Sequence, residues 1–341
     1  MISPLYPWQE SAWQQLQQLR PRMPHAILFH GAAGIGKSGF IEHFAQSLLC
    51  EDVRADGHAC GACLSCGWFA QHNHPDYRRV RPEALEDEVE DGDGEGDKKS
   101  VKSAKAPSKD IRIEQIRALA DFMNISTHRQ GLRVVVLYPA EALNTPASNA
   151  LLKTLEEPPL GTVFLLASNS LDRLLPTILS RCRKFALPMP SHEQALAWLK
   201  VQGVADADSW LREQGGAPLA ALAEAEAGNR EASEALLQLL ALPSVEAALK
   251  MADKLQKSPL SPLVACLQRW LYDVFSCKLA GNIRYYPRYR KELEILAGKI
   301  PVGRLMAAIK HANDRRAIAD HPLSPKLFIE DMLLDYAACC A

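Results

Sequence analysis

The eight residues GAAGIGKS, from Gly31 to Ser38, decide the fold, because they form a complete phosphate-binding loop. An apolar run, HAILFH, precedes the loop, and Phe40, Phe44 and Leu48 follow it at helical spacing. Strand, glycine loop and helix in this order are the context in which such a loop holds a nucleotide. The sequence therefore predicts a nucleotide-binding α/β domain.

Each residue type in the loop suits a polyphosphate. The glycines Gly31, Gly34 and Gly36 allow backbone N–H groups to converge without interference from a β carbon. Lys37 would reach the outer phosphates, and Ser38 would offer its hydroxyl to Mg²⁺. We expect these five residues to bind ATP or ADP with Mg²⁺. The alternative is a tight turn kept only for packing.

The strand that should supply the catalytic carboxylates lacks them. It reads VVVLYPAEAL, with Tyr138 and Pro139 where acids are expected and Glu141 as its first acid. P-loop enzymes hold the metal with a hydroxyl and an acid from a neighbouring strand. Since a phenol and a proline cannot replace that acid, the barrier to hydrolysis should rise by several kcal/mol. We predict nucleotide binding without useful turnover.

The rest of the chain first alternates strands with helices and then becomes helical. LRVVVLY and GTVFLLASN are two further buried strands, separated by amphipathic helices. This alternation favours a parallel sheet with helices on both faces. Strand signals end at LPMP, residues 187–190. We therefore predict three domains, over residues 1–187, 188–228 and 229–341.

Composition limits the function classes. The 341 residues include 39 Lys and Arg against 40 Asp and Glu, so a globally basic nucleic-acid binder is not indicated. No run of eighteen apolar residues and no export signal is present, which predicts a soluble, cytoplasmic protein without a membrane segment. Residues 83–110 carry nine acids and then five lysines with little to bury, so we expect a disordered surface insertion there.

Four of the nine cysteines have the spacing of a metal site, C-x9-C-x2-C-x2-C. They are Cys50, Cys60, Cys63 and Cys66. Each C-x2-C turn can direct two thiolates at one centre, and four thiolates leave no open position, which predicts structural Zn²⁺ in an insert over residues 50–66. An iron–sulfur cluster is the less favoured alternative. Three histidines are possible substitute ligands: His58, His72 and His74.

ASNALLKTLEEPP (147–159) and ILSRC (178–182), together with the loop and the cysteine insert, resemble the clamp-loader branch of the AAA+ ATPases. The resemblance is good over the first 190 residues and looser beyond, where LSPKLFIEDMLLDY (323–336) is similar to a last collar helix. It implies an AAA+ domain, a small helical lid and a C-terminal helical collar that mediates oligomerisation.

Among bacterial DNA polymerase III loader subunits, the chain is most similar to the delta-prime family. In the motor subunits the Walker B acids align with Tyr138 and Pro139, and a second arginine expected near residues 215–222 is also absent. The kept SRC motif implies a non-hydrolysing stator whose Arg181 acts as an arginine finger in trans on a neighbour's ATP. An intact phosphate loop departs from many members of that family.

The resemblance also implies partners: gamma/tau and delta subunits in a hetero-pentamer, the sliding clamp, and primer-template DNA through the complex, with Lys153 as a modest candidate for a DNA contact. Ser168 and Asn169 fall where a first sensor would lie, or they form a strand-end hydrogen bond. Two alternatives remain open. One is an active gamma/tau-like ATPase that recruits Glu141, and the other is a stand-alone P-loop kinase.

Overall fold

The computed structural model describes residues 5–86, 107–124, 131–228, 230–319 and 324–341. The chain divides into two compact units, Met1–Pro190 and Ser191–Ala341. Residues 87–106, the middle of the predicted insertion, lie outside the described residues. Its described ends meet, since the Ser108 N–H donates to the Glu83 carboxylate over 3.1 Å. The further division of the second unit into lid and collar stays a prediction.

A five-stranded, fully parallel sheet forms the centre of the first unit, in the order β2-β3-β4-β1-β5. The strands are β1 (Ala26–His30), β2 (Tyr77–Val80), β3 (Arg133–Leu137), β4 (Thr162–Ser168) and β5 (Arg183–Ala186). The register pairs His30 with Ser168 and Leu137 with Leu166, so the carboxyl ends of the central strands lie close together. The predicted α/β fold with a parallel sheet is confirmed.

Helices cover both faces of this sheet. They are α1 (Glu10–Leu19), α2 (Lys37–Leu49), α3 (Leu64–Ala70), α4 (Ile113–Asn124), α5 (Thr145–Glu156) and α6 (Pro176–Arg181). Alternate residues of a strand point to opposite faces. Phe29 accordingly packs into one core with Phe40 and Phe44 of α2, and Leu28 packs into the other with Leu151 of α5. This two-faced burial fixes the loop between β1 and α2 at the carboxyl end of a central strand.

The second unit is helical throughout its described residues. Its helices are α7 (His192–Val201), α8 (Ala207–Glu213), α9 (Pro218–Glu226), α10 (Arg230–Ala241), α11 (Val245–Leu255), α12 (Leu260–Ala280), α13 (Arg290–Lys299), α14 (Val302–Ile318) and α15 (Pro325–Cys340). Ser191 caps α7 by accepting the Gln194 N–H over 3.2 Å. Across the part of the chain that the structure describes, every helix is too short or too polar to cross a membrane.

A buried ion-pair network links the two hydrophobic cores of the second unit. The first core surrounds Leu199 and Leu211 in α7 and α8, and the second surrounds Trp270 in α12. Glu213 at the end of α8 is 4% exposed and lies 3.2 Å from Arg230 and 3.1 Å from Arg288. Burial raises the pKa of Glu213, and the two guanidinium groups oppose that shift. The network therefore ties α8 to the helices that follow.

Asp273 of α12 offers a test of the packing in the second unit. Its fully buried carboxylate accepts the backbone N–H groups of Arg284 (2.9 Å), Tyr285 (2.9 Å) and Tyr286 (2.7 Å). We expect Asp273→Ala to lower the free energy of unfolding by about 3 kcal/mol or more, because an unsatisfied buried donor costs about 1–3 kcal/mol. Denaturant unfolding measures the loss.

The matched control is Asp273→Asn, which keeps one acceptor oxygen at the same position. We expect its loss to be about half that of Asp273→Ala. If both variants unfold within about 0.5 kcal/mol of the wild type, the carboxylate does not hold this turn.

Candidate functional site

The phosphate-binding loop spans the turn from β1 to α2, and its glycines are required by its shape. Gly36 has φ 85° and immediately precedes α2. A β carbon there would lie 2.5 Å from the Tyr6 ring, and one at Gly31 would lie 2.5 Å from the Leu187 carbonyl oxygen. Since α2 begins at Lys37, its first N–H groups, including that of Ser38, face the loop. The geometry suits an anion.

Lys37 lies inside the loop. It is 6% exposed, and its Nζ donates to the carbonyl oxygens of Gly31 (3.0 Å) and Ala32 (2.5 Å). Burial lowers the pKa of Lys37 to about 8, while the negative charge of Glu141 opposes that shift. The ammonium group is therefore directed at the space that the loop encloses, and its contact with a nucleotide stays a prediction.

A short segment before α1 contacts the outer side of the loop, and the sequence alone did not predict these contacts. Gln9 Nε2 donates to the carbonyl oxygens of Ile35 and Gly36, both over 3.0 Å, and Trp8 Nε1 donates to that of Ile35 over 3.0 Å. The Tyr6 ring stacks on Trp8 with 4.8 Å between centroids. The only hint in the sequence is the aromatic stretch YPWQ, residues 6–9, which has no helical or strand period and therefore predicts no contact. The loop thus keeps its shape through contacts within the chain.

Tyr138 takes the place expected for a metal-binding acid, and its hydroxyl is already engaged. It donates to Glu42 of α2 over 2.6 Å, and Glu42 also lies 3.4 Å from Arg79. Burial, followed by the charge of Glu42, raises the pKa of Tyr138 to about 12. The side chain is therefore a neutral phenol near pH 7, whereas Mg²⁺ prefers carboxylates, phosphates and water.

Glu141, the first acid after β3, is held at the end of β4. Both the backbone N–H and the Nδ2 of Asn169 donate to Glu141 Oε1, over 3.0 and 2.8 Å. Ser168 instead donates its hydroxyl to the Ser170 carbonyl over 3.0 Å. Ser168 and Asn169 therefore form hydrogen bonds at the end of the strand, while a sensor role for them stays a prediction. Glu141 is therefore an acid close enough to act on Lys37, but its carboxylate already accepts hydrogen bonds from Asn169.

Arg181 is the last residue of α6, and its side chain is 32% exposed. Its guanidinium donates to the Thr177 carbonyl over 3.0 Å and forms an ion pair with Glu156 of α5. The arginine is therefore not buried in its own core. Its guanidinium is fixed at the surface by one carboxylate and one carbonyl.

The four predicted cysteines come together. Their sulfur atoms all lie within 4.8 Å of one another, with Cys50 and Cys63 3.9 Å apart and Cys60 and Cys66 4.0 Å apart. Tetrahedral zinc with bonds of about 2.3 Å would separate its sulfurs by about 3.8 Å. Backbone N–H groups of Ala62 and Cys63 lower the pKa of Cys60 to about 7, which favours the thiolate. The donor set fits a structural zinc site.

The three histidines are not part of that cluster among the described residues. His74 is buried, accepts the Asp76 N–H at Nδ1 over 3.0 Å, and contacts the Ser65 hydroxyl over 2.7 Å. His58 contacts His43 of α2 over 2.8 Å and stacks on Trp13 of α1. His58 thus connects the cysteine insert to α1 and α2. His72 lies elsewhere, in a cleft beside β2.

The parallel sheet, the glycine loop after β1 and the following helical unit define a P-loop α/β protein. Residues 8–191 match the family model described as DNA polymerase III, delta subunit. The DNA polymerase III subunit delta' of Pseudomonas aeruginosa is 37% identical over 298 residues, which cover 85% of this chain and 81% of the relative. The chain belongs to the delta' family of DNA polymerase III clamp-loader subunits, as the resemblance predicted.

The chain is also similar to subunits from other bacteria. The Escherichia coli subunit delta' is 32% identical over 242 residues, covering 69% of this chain and 65% of the relative. The Bacillus subtilis subunit tau is 26% identical over 234 residues, covering 68% of this chain and 36% of the relative. A solved gamma subunit-related protein of Thermotoga maritima aligns with a TM-score of 0.44 at 17% identity, covering 96% of this chain and all of that one.

Proposed function

We propose that this delta' subunit binds nucleotide without hydrolysing it and serves as a stator of the clamp loader. It would lend Arg181 to the ATP site of an adjacent subunit and help to load the sliding clamp onto primed DNA. One observation supports the proposal: Tyr138, which the resemblance aligns with the metal-binding acid, is a phenol that donates its hydrogen bond to Glu42 over 2.6 Å.

The loop residues would hold the phosphates, but the groups needed to hydrolyse the nucleotide would be incomplete. Lys37 and the N–H groups of Gly34 and Gly36 would contact the phosphates, and the Ser38 hydroxyl would contact Mg²⁺. Bound Mg²⁺ neutralises charge on the β- and γ-phosphates. Tyr138 offers no carboxylate to fix that metal or to orient a water. The bound triphosphate would therefore persist.

Arg181 has the chemistry of a finger that works in trans. A guanidinium presents its donors as a rigid fork that matches phosphate oxygens, and it cannot lose its charge near pH 7. Exposure at the end of α6 leaves it accessible to a neighbouring subunit. Glu156 would act as a positioning residue, because its carboxylate orients the guanidinium before a γ-phosphate competes for it.

The partners and metal follow from the family and the donor set. We infer assembly with gamma/tau and delta subunits in a hetero-pentamer that acts on the sliding clamp and on primer-template DNA. Cys50, Cys60, Cys63 and Cys66 would hold one Zn²⁺, which connects the end of α2 to the start of α3. The metal would be structural, because four thiolates leave no position for water.

Glu141 favours a second candidate, an active gamma/tau-like ATPase. Its charge acts on Lys37, and it is held by Asn169 at the end of β4. A carboxylate in that region could assist a metal or a water if it left Asn169. We place this candidate second because the residue directly after β3, where the resemblance expects an acid, is Tyr138.

The purified chain separates these candidates. We expect it to bind a fluorescent ATP analogue and to show no turnover above background. Lys37→Ala should weaken binding by about tenfold or more, since it removes a charged donor to phosphate. Steady hydrolysis by the wild type that Lys37→Ala and Glu141→Gln both abolish would establish the second candidate instead.

Nucleotide affinity should depend on pH through Lys37. Because burial lowers its pKa to about 8, the free protein is protonated at this position below that pH and loses the proton above it. The charged form binds phosphate, so we expect constant affinity below pH 7 and a fall that approaches about tenfold per pH unit above pH 8. Titration of the analogue across this range measures it.

The control is Lys37→Arg, whose guanidinium stays protonated throughout. Its affinity should be independent of pH over the same range, even if it is weaker than that of the wild type. A wild-type profile as flat as that of Lys37→Arg would refute a lysine that loses its proton near pH 8 and must be charged to bind, whereas the loss of affinity in Lys37→Ala tests the contact itself.

A further inference from the structure

Four arginines outside the first core of the second unit reach one end of α8. They form the α8 arginine cluster: Arg230 of α10, Arg269 of α12, and Arg284 and Arg288 between α12 and α13. Each of them has a partner in residues 206–215, the stretch that contains α8. Side chains from three separate parts of the chain therefore converge on a single short helix.

Glu213, the last residue of α8, is the centre of this cluster. Its buried carboxylate contacts Arg230 and Arg288 through the same oxygen, Oε1. A second acid holds each guanidinium in turn, since Arg230 lies 2.7 Å from Asp206 and Arg288 lies 2.7 Å from Glu234. Removing the buried member of such a network leaves its partners with an unpaired charge, which is strongly destabilising. The contact therefore differs from an isolated pair at the surface.

The other two arginines bind the residues that directly follow α8. Arg269 Nη2 donates to the side-chain oxygen of Gln214 over 2.7 Å, and Arg284 Nη2 donates to the Gly215 carbonyl over 3.3 Å. Positive groups are favoured there, because the carbonyl groups at the end of a helix carry partial negative charge. The cluster therefore holds the carboxyl end of α8 through both charge and hydrogen bonds.

Apolar packing does not make the same connection. Among the described residues, α7, α8 and α9 share one hydrophobic cluster, and the helices from α10 onward share another. Apolar packing is non-directional and holds each core together internally. Guanidinium and carboxylate groups, in contrast, pair in a set geometry. The orientation of the first core relative to the second therefore depends on the α8 arginine cluster.

We propose that the α8 arginine cluster holds the two cores in one fixed orientation, and that this orientation depends on Glu213. A neutral side chain at this position would leave Arg230 and Arg288 without their shared carboxylate. The cores would then rotate about the connection between α9 and α10, where Gly228 has φ 67° and allows a wide range of backbone angles. The inference does not rest on the proposed function, because the contacts lie within the isolated chain.

Double electron–electron resonance on the full chain tests this inference, with one spin label in each core. Noncanonical amino acids carry the labels at Val201 of α7 and Leu279 of α12, both exposed, so that all nine cysteines are kept. We expect one narrow distance distribution in the wild type and a distribution at least about twofold wider in Glu213→Gln. The matched control is Arg290→Gln, which breaks an exposed ion pair with Glu294 inside α13 and should keep the narrow distribution.

Three outcomes would overturn the inference. The first is a wild-type distribution as wide as that of Glu213→Gln, and the second is equal widening in Arg290→Gln. The third is a narrow distribution in Glu213→Gln when the variant keeps its helical circular dichroism. If Glu213→Gln loses that signal, Arg288→Gln decides by the same criterion, because Arg288 is partly exposed and lies outside the first core.

Discussion

Cys63→Ser is expected to release about one zinc ion per chain and to lower the free energy of unfolding of the first unit by at least about 3 kcal/mol. Cys63 lies 3.9 Å from Cys50, and its own N–H donates to Cys60 Sγ over 3.2 Å, so the change removes a ligand from the centre of the cluster. Structural zinc contributes about 10 kcal/mol or more in small zinc domains. Elemental analysis and denaturant unfolding measure both effects.

Cys277→Ser provides the matched control, because Cys277 is a partly buried thiol of α12 in the other unit. It should keep the full zinc content. Removal of the metal from the wild type by a chelator should reproduce the stability of Cys63→Ser. A wild-type chain purified without zinc, iron or another bound metal would refute the site.

The contacts around the insert explain why loss of zinc should reach beyond it. His58 stacks on Trp13 with 4.6 Å between ring centroids, and the Trp13 indole N–H donates to the Asp56 carbonyl over 3.1 Å. Trp13 also packs edge-on against Phe40 of α2, the helix that begins at the phosphate-binding loop. A released insert would therefore loosen α1 and α2 together.

The strands that consist mostly of apolar residues were predicted from the sequence. The strands that carry charged residues were missed. The central strands contain continuous apolar runs, VVVL in β3 and VFLLA in β4, and every residue of both strands is buried. The edge strands read YRRV and RKFA, because one side of an edge strand needs no apolar cover. Their charged residues hide the period-two pattern, so neither strand was predicted.

The candidate site shows the same division. Spacing alone predicted the cysteine cluster, since Cys60, Cys63 and Cys66 are three residues apart and Cys50 precedes them by only ten residues. The contact of Tyr138 with Glu42 joins residues 96 positions apart, and that of Arg181 with Glu156 joins residues 25 apart. No local pattern encodes such pairs, because they depend on how β3, α2, α5 and α6 pack. The sequence therefore predicted roles for Tyr138 and Arg181, but only the folded structure showed which side chains they contact.

Arg181→Ala in a reconstituted loader is expected to lower single-turnover hydrolysis at the ATP site that receives it by about 10³-fold. An arginine finger contributes about this much by stabilising charge on the phosphoryl group in the transition state. Size-exclusion chromatography should show that the variant still assembles, because the Arg181 side chain is 32% exposed and its ion pair with Glu156 is at the surface.

Three further variants decide what Arg181 does. Arg181→Lys keeps the charge but loses the fork, so it should recover only a small part of the rate. Glu156→Gln keeps the finger but removes its orienting carboxylate, so a loss of about tenfold or less is expected, seen mainly in kcat. Arg173→Ala, an exposed arginine of the preceding turn, should leave hydrolysis unchanged. If Arg181→Ala lowers hydrolysis no more than Arg173→Ala does, the ion pair with Glu156 is its whole role, because a surface pair has no effect on a neighbour's phosphoryl transfer.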